Sequence, residues 1–519
     1  MSLSNFDTMT GHFRLSSSLF PFLKPVAFSS LFVIAGAGLA CGGSDGGPNV
    51  DTGGQSAAAG SPAAGSGVGG ANNAGAPASG GVGGVGTAGA SPAAGAGGGG
   101  AGTGSVAGSG GTAGSGTAGS GTGGTAGAGG TTNGHWVGTW TASPYTTATA
   151  DLPPQPLSGA VARQITHVSL GGSQIRVQFS NLLGTAALTI DAVHVALCKA
   201  TPLVDGSIDT TTDKALTFSG QAKVSIPAGK EIWSDALAFN LPALANLTIT
   251  TAFGTAPNDG TLTSHAGART ESFVVPNSKD VSVANIAAVA SPLNHNQHWW
   301  VISGIDVMAP TEAKGAVAIG DSITDGRGVT INANNRWTDN LAKRMQANAP
   351  TANVSMMNQG IGGTALVGTQ GTAAEARWAR DVLGQSGVKY AIILDGVNDI
   401  GGSNDSAATL NAMKTTYAKL IKSGRDKGLL VYGGTIMPFT GYTGSAGYDT
   451  PAHEALRQEV NAYIKSGVFD GVIDFDAALS DGATPPSLVA AANSADKLHP
   501  GPAGYQMMAD KVDLTLFTK

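Results

Sequence analysis

From residue 310 onward the hydrophobic positions change rhythm. Short apolar runs at 316–319, 354–357, 390–394, 429–432 and 472–475 alternate with stripes spaced three or four residues apart. Short apolar runs bounded by turn residues predict buried strands of a parallel sheet. Between them, Trp337, Leu341 and Met345 recur every four residues. Leu410, Met413, Tyr417, Leu420 and Ile421 trace one helix face, as do Leu456, Val460, Tyr463 and Ile464. Thr450-Pro451 supplies a capping side chain and a first-turn proline for the last of these helices. Strand and helix in alternation imply an α/β domain, with helices on both faces of a parallel sheet.

Between 134 and 309 the period is two. Ile175-Arg176-Val177-Gln178-Phe179 alternates apolar and polar, as does 193–197. Leu188 and Ile190 fall on the opposite phase, so a bulge or bend is expected near Asp191. Further strand-like runs lie at 222–226, 247–252 and 299–305, separated by Gly, Asn, Asp and Pro. With no helical period among them, an antiparallel β-sandwich is the economical expectation.

Composition removes the first quarter of the chain from the folded part. Residues 42–133 are almost entirely Gly, Ala, Ser and Thr. Such a stretch has little side chain to bury against the entropy of ordering its backbone, so a disordered tether is expected. Before it, positions 1–41 carry Arg14, Lys24 and an apolar run at 26–40. That run is too short for an ordinary membrane span and reads as an export signal. Gly38-Leu39-Ala40-Cys41 resembles the bacterial lipobox, except that leucine stands two residues before the cysteine where that pattern has it three before. Two readings stay open: lipidation of Cys41, with the tether as a spacer from the membrane, or plain cleavage near Ala40. If Cys41 is lipidated, Cys198 has no disulfide partner and serves as a small apolar residue. Lys and Arg total 28 against 34 Asp and Glu, a net charge of −6 with no basic cluster, which argues against a nucleic-acid partner.

The chemistry sits at the ends of the C-terminal strands. Gly320-Asp321-Ser322 follows the first apolar run, in the crevice where open α/β sheets bind ligands. Asn358-Gln359-Gly360-Ile361-Gly362-Gly363 follows the second, and Asp395-Gly396-Val397-Asn398-Asp399 the third. Asp496-Lys497-Leu498-His499 comes near the C-terminus. A hydroxyl, an imidazole and a carboxylate are what a serine hydrolase requires.

Taken in order, these four blocks resemble the SGNH (GDSL) hydrolase superfamily over about 310–519. The wider span 134–519 resembles bacterial GDSL esterases with a β domain ahead of the catalytic one, a group described as arylesterases or carbohydrate acetylesterases. The resemblance implies a three-layer α/β/α, flavodoxin-like domain at 310–519, with 134–309 as an accessory domain. It makes Ser322 the nucleophile, His499 the general base and Asp496 its orienting carboxylate. Gly363 and Asn398 would join the Ser322 backbone N–H as the oxyanion hole. Block two reads Ile361-Gly362-Gly363-Thr364, where many relatives have serine before the glycine and aspartate after it, so Gly362 remains an alternative donor. The physics fits each role. Histidine near pKa 6.5 accepts a serine proton at neutral pH, and each oxyanion donor is worth roughly 3 kcal/mol. Such chemistry requires no metal or organic cofactor.

Other residues invite weaker readings. Asp321 is expected to tie the turn together. His295-x-x-His298 has metal-like spacing without a neighbouring carboxylate or cysteine, so packing or surface is expected. His453, at a helix start, is expected at the surface or as a cap. Gly42-Gly43-Ser44-Asp45-Gly46 fits G-x-S-x-G but lies in the tether. The whole reads as an exported hydrolase of short acyl esters, with a small ester or an acylated polysaccharide as substrate. The alternatives are a surface carbohydrate-binding or adhesive protein with an inactive SGNH domain, and a lipase.

Overall fold

Five parallel strands carry the C-terminal half: β1 (Lys314–Gly320), β2 (Val354–Gly360), β3 (Val388–Leu394), β4 (Leu430–Gly434) and β5 (Gly471–Ile473), in the order β2-β1-β3-β4-β5. The computed structural model describes residues 134–199, 205–286, 289 and 294–519. The export segment 1–41 with Cys41, and the tether 42–133, lie outside the described residues. β1 runs between β2 and β3, which is why Ala316, Val317, Ala318 and Ile319 are all fully buried with no polar alternation.

Eight α-helices are woven through this half: α1 (Ser322–Asp325), α2 (Trp337–Gln346), α3 (Ala374–Trp378), α4 (Val397–Gly401), α5 (Ser406–Asp426), α6 (Pro451–Tyr463), α7 (Phe475–Leu479) and α8 (Pro502–Lys511). Trp337, Leu341 and Met345 of α2 are fully buried, and the stripe from Leu410 to Ile421 forms the buried face of α5. Thr450 caps α6 by accepting the His453 N–H at 3.1 Å. The run 472–475 needs correction: the strand stops at Ile473, and Phe475 opens α7. Asp474 accepts the Ala477 N–H at 3.2 Å and so starts a helix where apolarity alone predicted more strand. Phe475 is buried in either conformation, packed edge-on against Trp337 at 5.4 Å between ring centroids.

The N-terminal half is antiparallel and β-rich. One sheet orders Gly134–Thr141, Ile302–Pro310, Gly172–Asn181 and Lys230–Trp233, with Leu237–Leu241 also paired to Gly172–Asn181. Another is centred on Val161–His167, Asn246–Thr255 and Leu188–Leu197. Inward residues of both, among them Val177, Phe179, Val195 and Ile249, share one hydrophobic core. In Leu188–Leu197 the pairing passes over Asp191, and this bulge keeps Leu188 and Ile190 buried together with Val193 and Val195. Cys198 packs half-buried with Ile165, Phe273, Val275 and Ile286, its thiol unpaired and pushed up to about 12 by burial. Among the described residues no helix is long and apolar enough to cross a membrane.

The two halves meet along β2. Thr141 Oγ1 donates to the Asn358 carbonyl at 3.1 Å, and Ser169 Oγ accepts the Met356 N–H at 2.9 Å. Arg176 lies between the rings of Trp136 and Trp233, at 4.7 and 4.5 Å, and pairs with Asp306 at 2.6 Å. Ser386, just before β3, donates to the same Asp306 at 2.7 Å.

Arg457 is the strongest polar tie within the parallel-sheet half. Fully buried, it forks onto Glu454 with two bonds of 2.7 Å and reaches Asp476 and the Ile436 carbonyl at 2.7 Å each. Arg457→Ala takes the guanidinium from half-buried Glu454 and Asp476, which keep Gln458 and Asn461 as partners, and is expected to cost about 2–3 kcal/mol. Urea unfolding checks this; a loss below about 1 kcal/mol would show that water replaces the guanidinium freely.

Candidate active site

The parallel register sets where the chemistry can happen. Gly320 pairs with Gly360 on one side and Leu394 on the other, so the segments after β1, β2 and β3 leave the sheet side by side. Ile361 N–H bonds back to the Gly320 carbonyl at 3.0 Å. Asp321 then turns the chain: its extended backbone and its Oδ1, accepting the Ile323 N–H at 2.9 Å, cap the one-turn α1. Ser322 is the first residue of α1, and Gly326 in the left-handed region ends it. Burial, partly opposed by the Ile323 bond and reinforced by Asp399, pushes the Asp321 carboxyl up to about 7. Its role in the turn is structural, as the sequence suggested.

Ser322 Oγ lies 2.8 Å from His499 Nε2, and His499 Nδ1 lies 2.6 Å from Asp496 Oδ2. Asp496 Oδ1 also accepts the backbone N–H of Leu498 at 2.9 Å and of His499 at 2.8 Å. The same three-residue spacing therefore fixes the carboxylate against both the backbone and the ring of the histidine. Ala495 and Lys497 take φ of 87° and 65°, a strained conformation that the Asn493 side chain holds by accepting both of their N–H groups, at 2.9 and 3.0 Å.

Burial would raise Asp496, but the bonds and charge of His499 win and hold it well below the usual carboxylate range. His499 is itself pushed below the ordinary histidine value, chiefly by burial, against the opposing pull of Asp496. An ionised Asp496 can only accept, so the proton sits on Nδ1 and the Nε2 lone pair faces the serine hydroxyl. Both side chains are largely covered, Ser322 7 % and His499 3 % exposed.

The two oxyanion candidates follow β2 and β3, the strands that flank β1 on either side. Gly363 sits in the turn after β2 at φ 73°, a conformation glycine adopts without strain. Asn398 is the second residue of α4, and its Nδ2 donates to the Thr364 carbonyl at 2.7 Å. Asp399 beside it accepts the N–H groups of Leu366 and Val367 at 2.7 and 3.0 Å, lashing α4 to the segment after β2.

Two supports were invisible in the sequence. Arg377 of α3, buried, donates to the Gln359 carbonyl at 2.5 Å and the Gly320 carbonyl at 2.9 Å, with Asp381 at 3.1 Å. Asp325, closing α1, receives His265 Nε2 at 3.0 Å and Arg269 at 3.1 Å from the β-rich half. Burial would raise Asp325, but Arg269, His265 and Arg336 keep it below the ordinary carboxylate value. Neither support has a sequence signature, because Arg377 binds main-chain carbonyls and Asp325 binds residues some 60 positions away.

The other histidines part company. His453 is buried rather than at the surface: its Nδ1 faces the Tyr448 carbonyl at 2.8 Å and its Nε2 the Ser403 carbonyl at 2.9 Å, because the loop before α6 folds over it. His295 pairs with Glu271 at 2.7 Å and His298 with Asp151 at 2.9 Å, each on its own carboxylate. Among the described residues no three His, Cys, Asp or Glu are grouped to hold a metal.

Residues 318–507 match the GDSL-like Lipase/Acylhydrolase family. Among solved structures, a G-D-S-L family protein from Desulfitobacterium hafniense is 20 % identical, over 38 % of this chain and 97 % of that one, with a TM-score of 0.31. A variant acetyl xylan esterase from Geobacillus stearothermophilus is 22 % identical, over 38 % and 91 %, with a TM-score of 0.30. LAE5, an α/β hydrolase from the metagenome of Lake Arreo, is 20 % identical, over 40 % and 96 %, with a TM-score of 0.30. None of the curated proteins compared matches the chain.

The clamp on Asp325 yields a measurable consequence. His265→Ala leaves a buried carboxylate short of a donor and is expected to destabilise the protein by about 2 kcal/mol in urea unfolding. An unchanged midpoint would mean that Arg269 and Arg336 suffice.

Proposed function

Starting from residues 318–507 as a GDSL-like lipase/acylhydrolase domain, and so a carboxylic ester hydrolase, we propose that it works through an acyl-enzyme on Ser322. The observation that carries this reading is the continuous chain from Ser322 Oγ through the His499 ring to Asp496, at 2.8 and 2.6 Å. His499 Nε2 takes the Ser322 proton as Oγ attacks the ester carbonyl. The tetrahedral oxyanion is met by the Ser322 N–H, the Gly363 N–H and Asn398 Nδ2, with Gly362 as the alternative backbone donor. The protonated imidazole then gives its Nε2 proton to the leaving alkoxide. Water, deprotonated by the same nitrogen, attacks the ester carbon of acyl-Ser322, and the carboxylic acid leaves as Oγ regains a proton. Asp496 stays ionised throughout, orienting the ring and balancing the imidazolium.

The burial of Ser322 and His499 is the ground for proposing short acyl groups, acetate first. An acetylated polysaccharide is the proposed natural substrate class, and export is proposed with it, whether Cys41 is lipidated or the chain is plainly cleaved near Ala40. Acetate release from acetylated xylan, pectin and chitin fragments tests the substrate class; no release from any of them, with p-nitrophenyl acetate still cleaved, would remove the polymer from the proposal.

Ser322→Ala is expected to lower p-nitrophenyl acetate turnover by at least about 10³-fold, and Asp496→Asn by up to about 10⁴-fold through the wrong histidine tautomer. Undiminished turnover in the alanine variant would end the mechanism. Because burial depresses the His499 value, the neutral base persists below pH 6.5, and activity is lost only as pH falls through the depressed value. The acid limb of kcat/KM should therefore have its midpoint below 6.5; a midpoint above 7 would contradict the buried imidazole.

A further inference from the structure

Asn398 offers two N–H donors and one carbonyl oxygen, and protein groups already engage both ends of the amide. Nδ2 stands 2.7 Å from the Thr364 carbonyl, and Oδ1 stands 3.0 Å from the Tyr448 hydroxyl. A main-chain carbonyl can only accept, so Thr364 settles which end of the amide is nitrogen. The oxygen end then faces Tyr448, whose hydroxyl must be the donor. That hydroxyl also lies 3.0 Å from the Val397 carbonyl, so its one proton is aimed at the first turn of α4 as a unit.

Tyr448 is itself held from several sides. Its ring packs edge-on against Phe439 and Tyr442, at 5.5 and 5.0 Å between centroids. Its carbonyl faces His453 Nδ1 at 2.8 Å. The ring lies so close to α4 that a Cβ on Gly401 would come within 2.2 Å of it. Burial pushes the phenol well above its ordinary value, so it stays a donor wherever His499 is a working base.

We propose that Tyr448 is a positioning residue for the ester hydrolysis: its hydroxyl, opposite the Thr364 carbonyl, locks the Asn398 amide so that the second Nδ2–H meets the developing oxyanion. This rests on the acyl-enzyme reading above and extends it to a residue in the loop before α6, outside the four sequence blocks. Anchored at one end only, the amide can swing about its terminal torsion, which is broad and soft for asparagine. A donor that must be in place before the charge develops loses its value when it wanders. The effect belongs in kcat, because the bond is made to the transition state and not to the bound ester.

The test is a double-mutant cycle on p-nitrophenyl acetate with Tyr448→Phe, Asn398→Ala and the pair, and Ser322→Ala alongside. Tyr448→Phe keeps the ring packing and should lower kcat about 10-fold, with KM within about 2-fold and a thermal midpoint lowered only modestly by the lost hydroxyl bond. Asn398→Ala should lower kcat about 10²–10³-fold. The double variant should match Asn398→Ala alone, since without the amide there is nothing left to position. Wild-type kcat in Tyr448→Phe, or losses that multiply fully in the double variant, would overturn the proposal. Turnover surviving in Ser322→Ala would instead bring down the acyl-enzyme reading, a different result from the same panel. Should Tyr448→Phe fold poorly, Gly401→Ala displaces the ring while keeping the hydroxyl and must give the same kcat loss and the same non-additivity.

Discussion

Everything at the site hangs on the carbonyls at the C-terminal edge of the parallel sheet, which a buried guanidinium ties together. Strands β1 and β2 end in Gly320 and Gln359-Gly360, and the buried Arg377 guanidinium takes the Gly320 and Gln359 carbonyls together at 2.9 and 2.5 Å. A guanidinium can do this because it presents several donors in one rigid plane. Buried alone it would be costly; Asp381, itself buried, balances it and is met in turn by Arg380 and by Ser143 from the β-rich half. The two strand ends are thereby held at a fixed separation, and Ser322 and Gly363 follow directly from them.

The carboxyls behind Ser322 show how much charge this edge tolerates. Asp321, Asp395 and Asp399 all lie close by, and burial raises each of them. Burial, reinforced by the charges of Asp321 and Asp399, holds Asp395 well above the usual carboxylate value. Asp496 behaves in the opposite way because it is half open to solvent and accepts three N–H groups along one loop. The carboxyls of this site are thus shifted in opposite directions, and Asp496, the one held low, is the one that touches the imidazole.

What could be read from the sequence follows from how local each signal is. The stripes of α2, α5 and α6 were legible because a helix writes its buried face at a spacing of 3.6 residues. Phe475 was misread as strand because burial is the same in both conformations, and the deciding contact is the Asp474 cap. His453 was misread because nothing at a helix start announces that a preceding loop will cover it. Ser322, His499 and Asp496 could be singled out because each carries reactive chemistry of its own. Arg377, Asp325 and Tyr448 could not, since their work is done on carbonyls and side chains 50 to 60 positions away.

The β-rich half bears on the same point. α1 is a single turn, too short to be stable by its own hydrogen bonds, so the geometry of Ser322 must be imposed from outside. From one flank come His265 and Arg269 on Asp325, with Arg336 on the Asp325 carbonyl at 2.9 Å. From the other comes Ser143 through Asp381 to Arg377. Because Ser143 also accepts His265 Nδ1 at its carbonyl, at 2.9 Å, the two flanks are joined through one residue. A parallel sheet alone would present the serine on a frayed turn; braced from both sides, that turn holds the hydroxyl in line with the imidazole before any ester arrives.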